Sequence, residues 1–177
     1  MCIRDRDLAG RIAEKLQPGR VRPVIPVEHE RYMTALTMLG DESKKHLDLI
    51  RNGLGHHSTL VKGNSAIAIY RITGQSDEAK KVVEKILKDE TRAPEMLILI
   101  GKLNDEAEPF LPAVSRCLDS TSPETREMAV VTLMELGIKD PAIVKRVKEM
   151  ARDPEPDVAS AVAEAIESFK NSDGENE

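Results

Sequence analysis

Aromatic residues are scarce in this chain. It contains two Tyr, two Phe and no Trp among 177 residues. Globular enzymes and β-sandwiches usually use aromatic side chains for core volume, so aliphatic side chains must fill this core. Thin, two-layer packing of helices suits such a core. Nucleic-acid binding is not expected, because stacked bases need aromatic partners and the sequence pI is about 5.5.

Cysteine and long apolar segments are also few. Cys2 and Cys117 cannot build a disulfide framework. Cys117 lies on the apolar stripe of a predicted helix, so we interpret it as a small buried hydrophobe rather than a nucleophile or a metal ligand. No apolar segment approaches the roughly 20 residues that span a membrane. We therefore expect a soluble chain, in the cytoplasm or the periplasm, with the compartment left open.

The sequence lacks the motifs of common catalytic and metal sites. It has no Gly-rich phosphate loop and no convincing order of Ser, His and Asp. His56 and His57 adjoin a helix start, but no recognised pattern of zinc ligands surrounds them, so we interpret them as solvent-facing residues. We predict no catalytic, cofactor-binding or metal-binding residues, and a chain that is not an enzyme.

A turn signal recurs along the chain. Gly40, Gly74, Asn104, Gly137 and Asn171 each follow a helix-like apolar segment, at intervals of 34, 30, 33 and 34 residues. Gly and Asn most readily adopt the left-handed conformation that ends a helix. An acid that is suited to capping the next helix follows each turn: Asp41, Asp77, Asp105, Asp140 and Asp173. A period in this range indicates a stack of helical repeats.

Two kinds of helix alternate between these turns. Helices of the first series are amphipathic, with apolar residues recurring every three or four positions; they are predicted at Glu42–Leu54, Asp77–Lys88, Glu106–Leu118 and Pro141–Arg152. Helices of the second series are apolar around more of their circumference, in segments that include Ala66–Ile72, Met96–Ile100, Met128–Leu136 and Val158–Ile166. The second series should lie inside, flanked by the first. Gly63 and Asn64 are expected to shorten or bend their helix.

The ends of the chain differ from the repeats. Residues 1–6 resemble a translated sequencing adapter, so we expect them to be non-native and the true N-terminus to be missing. Residues 7–26 are predicted to form an N-terminal helix and a Pro-containing connector, residues 27–170 the repeat array, and residues 171–177 a polar acidic tail. Residues 1–88 carry 16 Lys and Arg against 11 Asp and Glu, whereas residues 89–177 carry 10 against 20.

Residues 125–137, TREMAVVTLMELG, resemble the second helix of a HEAT repeat, including the variety of phycobilisome lyases. The similarity runs through Arg126, Ala129, Leu133, Leu136 and Gly137. Residues 61–74, VKGNSAIAIYRITG, are a weaker match, and residues 108–119, EPFLPAVSRCLD, resemble the first helix of that family. The resemblance covers about residues 28–170. It implies an all-α fold, a right-handed α-solenoid of about five HEAT-like helix pairs.

The resemblance also implies a role for Arg126. In the family this arginine usually ties adjacent helices together, and Asp119 is a candidate partner. The tetratricopeptide repeat is the alternative family, because residues 74–79, GQSDEA, are similar to its inter-helix turn. However, Ile67 stands where that family has a small residue, and Thr91 stands where it has Pro, so the HEAT interpretation is favoured.

Three functions fit this architecture. The first is a non-catalytic protein-interaction or scaffold module, without cofactors. The second is an accessory C-terminal array of a larger bacterial enzyme, such as a sulfatase or another hydrolase. The third, implied only by the HEAT resemblance, is a bilin lyase or related chaperone.

A partner is expected on the outward residues of the second-series helices, along the concave face. Asn64 and Ala68 are predicted to belong to this outward row. The predicted binding residues are Lys62, Arg71, Lys102, Glu124, Glu127, Glu135, Asp157, Glu164 and Glu167. The row grades from mildly basic to strongly acidic, so the expected partner is a protein, and a basic face on it would complement the acidic end.

Overall fold

The computed structural model describes residues 8–17 and 26–174, in which all regular structure is helical. The predicted adapter residues 1–6 and residues 18–25 of the predicted connector lie outside the described residues. Ten α-helices occur in the described ranges: α1 Leu8–Leu16, α2 Pro26–Leu39, α3 Leu47–Asn52, α4 Thr59–Thr73, α5 Asp77–Leu87, α6 Ala93–Gly101, α7 Leu111–Cys117, α8 Pro123–Glu135, α9 Pro141–Glu149 and α10 Pro156–Gly174.

The chain divides into two compact units, Met1–Ile86 and Leu87–Glu177. In the first unit α1 packs against α2, α3 packs against α4, and α2 and α4 pack on each other. In the second unit α7 packs against α8 and α9 against α10, while α6, α8 and α10 pack side by side. The second-series helices α6, α8 and α10 therefore stack on one another in the second unit, as in an α-solenoid, and in the first unit the second-series helix α4 stacks on α2. The predicted all-α class is confirmed.

The recurrent turns are left-handed, as their residue types predict. The φ angles are +52° at Gly40, +74° at Gly74, +50° at Asn104 and +58° at Gly137. Asn104 is the one residue other than glycine with positive φ in the described ranges. The prediction at Asn171 is wrong, because α10 continues to Gly174, into the segment predicted to be a polar tail. An Asn costs under about 0.7 kcal/mol inside a helix, so Asn alone does not end one.

Side-chain caps form where the chain enters α8 and α9 from extended backbone, and the predicted cap at Asp140 is confirmed. The Asp140 carboxylate accepts hydrogen bonds from the backbone N–H groups of Ala142 and Ile143, at 2.8 and 3.3 Å, and begins α9. Ser122 begins α8 by accepting from the Thr125 N–H. Each such cap contributes about 0.5–2 kcal/mol.

The remaining turn acids do not act as predicted. Asp41 and Asp105 lie in the first turn of 3₁₀ helices, where the capping positions fall on Leu39 and Leu103 and no side chain caps. The left-handed residue at each turn leads directly into the 3₁₀ helix, so the acid comes too late in the chain to cap it. Asp77 is the first residue of α5, and Asp173 lies within α10.

The first-series helices are more broken than their apolar stripes predict. Short 3₁₀ segments precede or follow the α-helical parts, at Gly40–His46, Gly53–Gly55, Asn104–Phe110 and Met150–Arg152. Pro109 lies within the third of these segments. Proline has no N–H to donate and its ring clashes with the carbonyl four residues earlier, so a regular α-helix begins only at Leu111.

Helix α4 is buried around most of its surface. It packs against α2, α3 and both neighbouring 3₁₀ segments. Asn64 and Ala68 are buried, so the prediction that they face outward is wrong. Asn64 also fails to shorten the helix, because its side-chain amide donates to the Leu60 carbonyl one turn earlier, at 3.0 Å. The Thr37 hydroxyl of α2 lies 2.9 Å from the Asn64 carbonyl oxygen and joins the two helices.

Cys117 is a buried thiol at the end of α7, as predicted. Its Sγ donates to the carbonyl oxygen of Ala113 at 3.5 Å. Burial raises the pKa of the Cys117 thiol to about 11. At neutral pH the residue is therefore a small apolar group of the core rather than a thiolate nucleophile.

Leu133 tests the inward register of α8. Its side chain is fully buried, so we expect Leu133→Ala to lower the free energy of unfolding by roughly 2–5 kcal/mol, through lost apolar burial and the cavity left behind. Chemical denaturation gives the value. Val131→Ala, at a half-buried position on the outward side, is the control and should cost clearly less. A cost under about 0.5 kcal/mol for Leu133→Ala, the range of an ordinary surface change, would contradict this register.

Gly74 and Gly55 test the left-handed turns separately from packing. A Cβ at either residue would meet no atom within 4 Å, but only Gly74 has positive φ. We expect Gly74→Ala to destabilise the chain by about 1–2 kcal/mol, the cost of an L-residue in that conformation. Gly55→Ala should instead be neutral or stabilising by about 0.4–1 kcal/mol, because it restricts the unfolded chain. Equal effects of the two substitutions on the thermal midpoint would refute the assignment.

Candidate interaction surface

Arg126 joins two successive turns of the second unit. Its guanidinium forms a two-pronged ion pair with Asp153, with N–O distances of 2.8 and 2.9 Å. The side chains are 14% and 8% exposed, so the pair is largely shielded from water. Arg126 also donates to the backbone carbonyls of Ser120 and Thr121. The structural role implied by the HEAT resemblance is thus observed.

The predicted partner of Arg126 is wrong. Asp119 pairs with Arg146 instead. Asp153 occupies the turn before α10, where its carboxylate also accepts from the Glu155 N–H at 3.0 Å. The hydrogen bonds from Arg126 hold the pKa of Asp153 below its usual value, and the same bonds raise the pKa of Arg126. Arg126 is therefore committed to holding the fold.

Glu90 links the preceding pair of turns in a similar way. One carboxylate oxygen accepts hydrogen bonds from the hydroxyl groups of Ser120 and Thr121 and from the Ser122 N–H. These bonds, first among them the one from the Thr121 hydroxyl, lower the pKa of Glu90. Glu90 and Arg126 therefore both bind the turn at residues 120–122. Glu90 precedes this turn in the sequence and Arg126 follows it.

Lys62 and Arg71, the two predicted binding residues of the first unit, both lie on α4. Lys62 is half-exposed. The Arg71 guanidinium donates to the carbonyls of Thr37 and Met38, at 2.7 and 3.2 Å. These carbonyls belong to the last turn of α2, where helix geometry leaves such groups without an intrahelical partner. Arg71 thus contributes to the end of α2.

The second unit brings α6 and α8 close together. The Thr132 hydroxyl donates to the Leu97 carbonyl at 3.1 Å. A Cβ at Gly101 would lie only 2.5 Å from a carboxylate oxygen of Glu135, so the absence of a side chain at Gly101 lets this carboxylate lie against α6. These contacts fix the register of the two helices and place Glu135 one helical turn from Ile98.

Acidic side chains follow the outward side of α8 and α10. We call the six of them the acidic helix face: Glu124, Glu127, Glu135, Asp157, Glu164 and Glu167. Glu127 is half-exposed and the other five are exposed, as predicted. Within the described part of the chain only Glu167 of this set has a cationic partner, Lys170 at 2.7 Å. Because α8 and α10 pack side by side, these like charges lie on neighbouring helices.

Ile98 is an exposed residue of this region that sequence reasoning missed. It is 45% exposed on α6, between Glu95 and Lys102, which are exposed as well. The apolar segment Met96–Ile100 suggested burial throughout. The available signal was the spacing of residues 95, 98 and 102, which places all three on one side of a helix whose other positions are buried.

Three histidines, His29, His56 and His57, form a cluster in the first unit, in which His57 is exposed, as interpreted, and His56 is half-buried. The ring centroids of His29 and His56 are 4.7 Å apart, and those of His56 and His57 are 4.1 Å apart. His56 Nδ1 accepts the Ser58 N–H at 3.0 Å, and Ser58 donates its hydroxyl proton to Glu30. In the described residues no group of three or more His, Cys, Asp or Glu side chains has an arrangement suited to a metal ion.

No protein-family model and no curated protein matches this chain. Among solved structures, a designed armadillo repeat protein is similar, with 13% sequence identity, coverage of 91% of this chain and 99% of that chain, and a TM-score of 0.40. Each helix in the described ranges is too short or too polar to cross a bilayer.

The histidine cluster predicts an acid-dependent loss of stability in the first unit. Burial lowers the pKa of His29 and His56, and the charge of His57 lowers both further. Lys62 also lowers the pKa of His56, whereas Glu30 raises it. The folded unit then binds fewer protons than the unfolded chain. Its stability is therefore complete above the ordinary histidine pKa near 6.5 and declines as pH falls below that value.

Urea unfolding at pH 7.5 and pH 5.5 measures this dependence. We expect the loss between the two pH values to shrink in His29→Gln/His56→Gln, with the two chains compared at each pH. Most carboxylates titrate below this window, so histidines dominate the change. The same pH dependence in the variant and the original chain would contradict the prediction.

Proposed function

We propose that this chain is a non-catalytic protein-interaction module of the HEAT-repeat type, which binds a basic protein surface on its acidic helix face. The observation that carries the proposal is the concentration of exposed acids on two adjacent helices, five of which have no cationic partner in the described residues. Like charges on one surface repel one another, and a basic partner relieves that repulsion.

Ile98 supports the same surface. Protein interfaces typically combine an apolar centre with a polar rim. Ile98 supplies exposed apolar area one turn from Gly101, against which the Glu135 carboxylate lies. The partner is then a basic segment that also carries an apolar side chain. An accessory array of a larger enzyme would use the same surface, so the proposal does not depend on what else the parent protein contains.

Charge reversal tests the acidic helix face. The variant Glu127→Lys/Glu135→Lys/Glu164→Lys is compared with Glu14→Lys/Glu42→Lys/Glu108→Lys, which makes the same change of net charge at exposed positions outside α6, α8 and α10. The probe is a synthetic amphipathic helix that carries Lys and Leu, and fluorescence anisotropy measures its binding. We expect the first variant to weaken binding at least tenfold at low salt, and the second to change it less than threefold.

The salt dependence of binding distinguishes a specific acidic surface from attraction by net charge. The electrostatic screening length falls to about 8 Å at physiological ionic strength, so the affinity of the original chain for the probe should fall as the salt concentration rises. The first variant should show a flatter salt dependence with an unchanged helical circular-dichroism spectrum. If both triple variants bind the probe equally, the acidic helix face is not the binding surface.

A further inference from the structure

The lysines of the acidic half of the chain are concentrated in one place. Residues 89–177 contain five lysines, at positions 102, 139, 145, 148 and 170. Four of them line a single groove in the second unit, which we call the lysine groove: Lys139, Lys145, Lys148 and Lys170. The same half carries twice as many acids as bases, so this grouping runs against its overall charge.

The residues of the groove lining other than the lysines are apolar, and we call them the apolar floor. Ile138, Pro141, Val144 and Phe169 complete its lining, around a cavity of about 470 Å³. The residues come from the turn before α9, from α9 and from the end of α10. Positions 141, 144, 145 and 148 share one side of α9 because their spacing follows the helical period. A cavity of this size lies in the range of sites for small ligands and side chains.

Two lysines of the groove, Lys145 and Lys170, form ion pairs with neighbouring acids. Glu149 lies 3.9 Å from Lys145, and Glu167 lies 2.7 Å from Lys170. All four side chains in these pairs are more than half exposed. Such pairs contribute at most about 1 kcal/mol, so an incoming carboxylate can replace one of them at little cost. The Asp140 carboxylate at the start of α9 already accepts two backbone hydrogen bonds.

A second, acidic pocket limits the kind of anion that fits. Ile138 lines both the lysine groove and a second cavity of about 280 Å³, whose lining includes Asp105 and Glu108. A nucleic-acid backbone or another long polyanion needs a continuous basic surface and would meet these carboxylates. A short anionic ligand with an apolar part meets only the lysines and the apolar floor.

We propose that the lysine groove binds a short acidic peptide segment of a partner protein, with one bulky apolar side chain placed among Ile138, Val144 and Phe169 and flanking carboxylates on the lysines. The site shares no lining residue with the acidic helix face and takes a ligand of the opposite charge. Glu167 of the acidic helix face pairs with Lys170 of the groove, so the variants that test the groove change neither of these two residues.

The probe is a fluorescein-labelled, N-acetylated peptide Glu-Glu-Phe-Glu-Glu. The variant is Lys145→Glu/Lys148→Glu, and the matched control is Lys88→Glu/Arg152→Glu, which makes the same charge change at two exposed cationic residues of the same unit outside the groove. We expect the groove variant to weaken binding at least tenfold and the control less than threefold. Replacing Phe of the peptide by Ala should weaken binding at least threefold.

Three results would overturn the proposal. Equal losses in the two variants would mean that net charge alone attracts the peptide. Equal binding of the Phe and Ala peptides would mean that the apolar floor is not used. Binding of phosphatidylserine vesicles that is lost in the groove variant, without binding of the peptide, would assign the lysines to a lipid surface. Lys145→Gln/Lys148→Gln, which introduces no new charge, repeats the test if the first variant unfolds.

Discussion

Mutual burial of the second-series helices is the constraint on which the other features depend. With few aromatic residues, the second unit fills its interior with aliphatic side chains such as Leu97, Ile100 and Leu133. Their smaller volume suits a close approach of α6, α8 and α10, and Gly101 of α6 permits such an approach to Thr132 and Glu135 of α8. Most of the circumference of α6 is buried as a result. Only a narrow outward side of α6, at Glu95 and Ile98, remains exposed.

Arginines of the second-series helices bind backbone carbonyl groups at helix ends and in turns. Arg71 donates to carbonyls in the last turn of α2, and Arg126 donates to carbonyls in the turn before α8. A guanidinium serves two acceptors at once because its N–H groups diverge in a fixed plane. Arg126 uses its remaining donors on Asp153, so one side chain connects two turns. Lysine, with a single ammonium group, would not reproduce this geometry.

Features determined within a few residues were predictable from the sequence. The residue types at Gly40, Gly74 and Asn104 alone predict left-handed turns. The position of Ser122 before a proline indicates a helix cap. Asn171 shows the limit of such signals, because an Asn is also tolerated inside a helix. The acids of α8 and α10 were correctly expected at the surface, since helical period separates them from the apolar stripe.

Features that join distant residues were not predictable. Arg126 meets Asp153, 27 positions later, rather than the nearby Asp119, because stacking of repeats brings successive turns together. Asn64 is buried because α2 and α3 cover α4 from sides that the pattern of α4 does not reveal. The lysine groove combines a turn, a first-series helix and the end of α10. No single segment carries its signature.

The buried thiol of Cys117 can be used to measure how often the second unit opens locally. A thiol alkylates through its thiolate, and burial both withholds that form and blocks access of a reagent. In a Cys2→Ser chain, the rate of maleimide labelling would therefore measure how often α7 separates from its neighbours. A ligand that reduces this opening would slow the labelling of Cys117. Slower labelling would therefore detect ligand binding even when the ligand causes no change in the average structure.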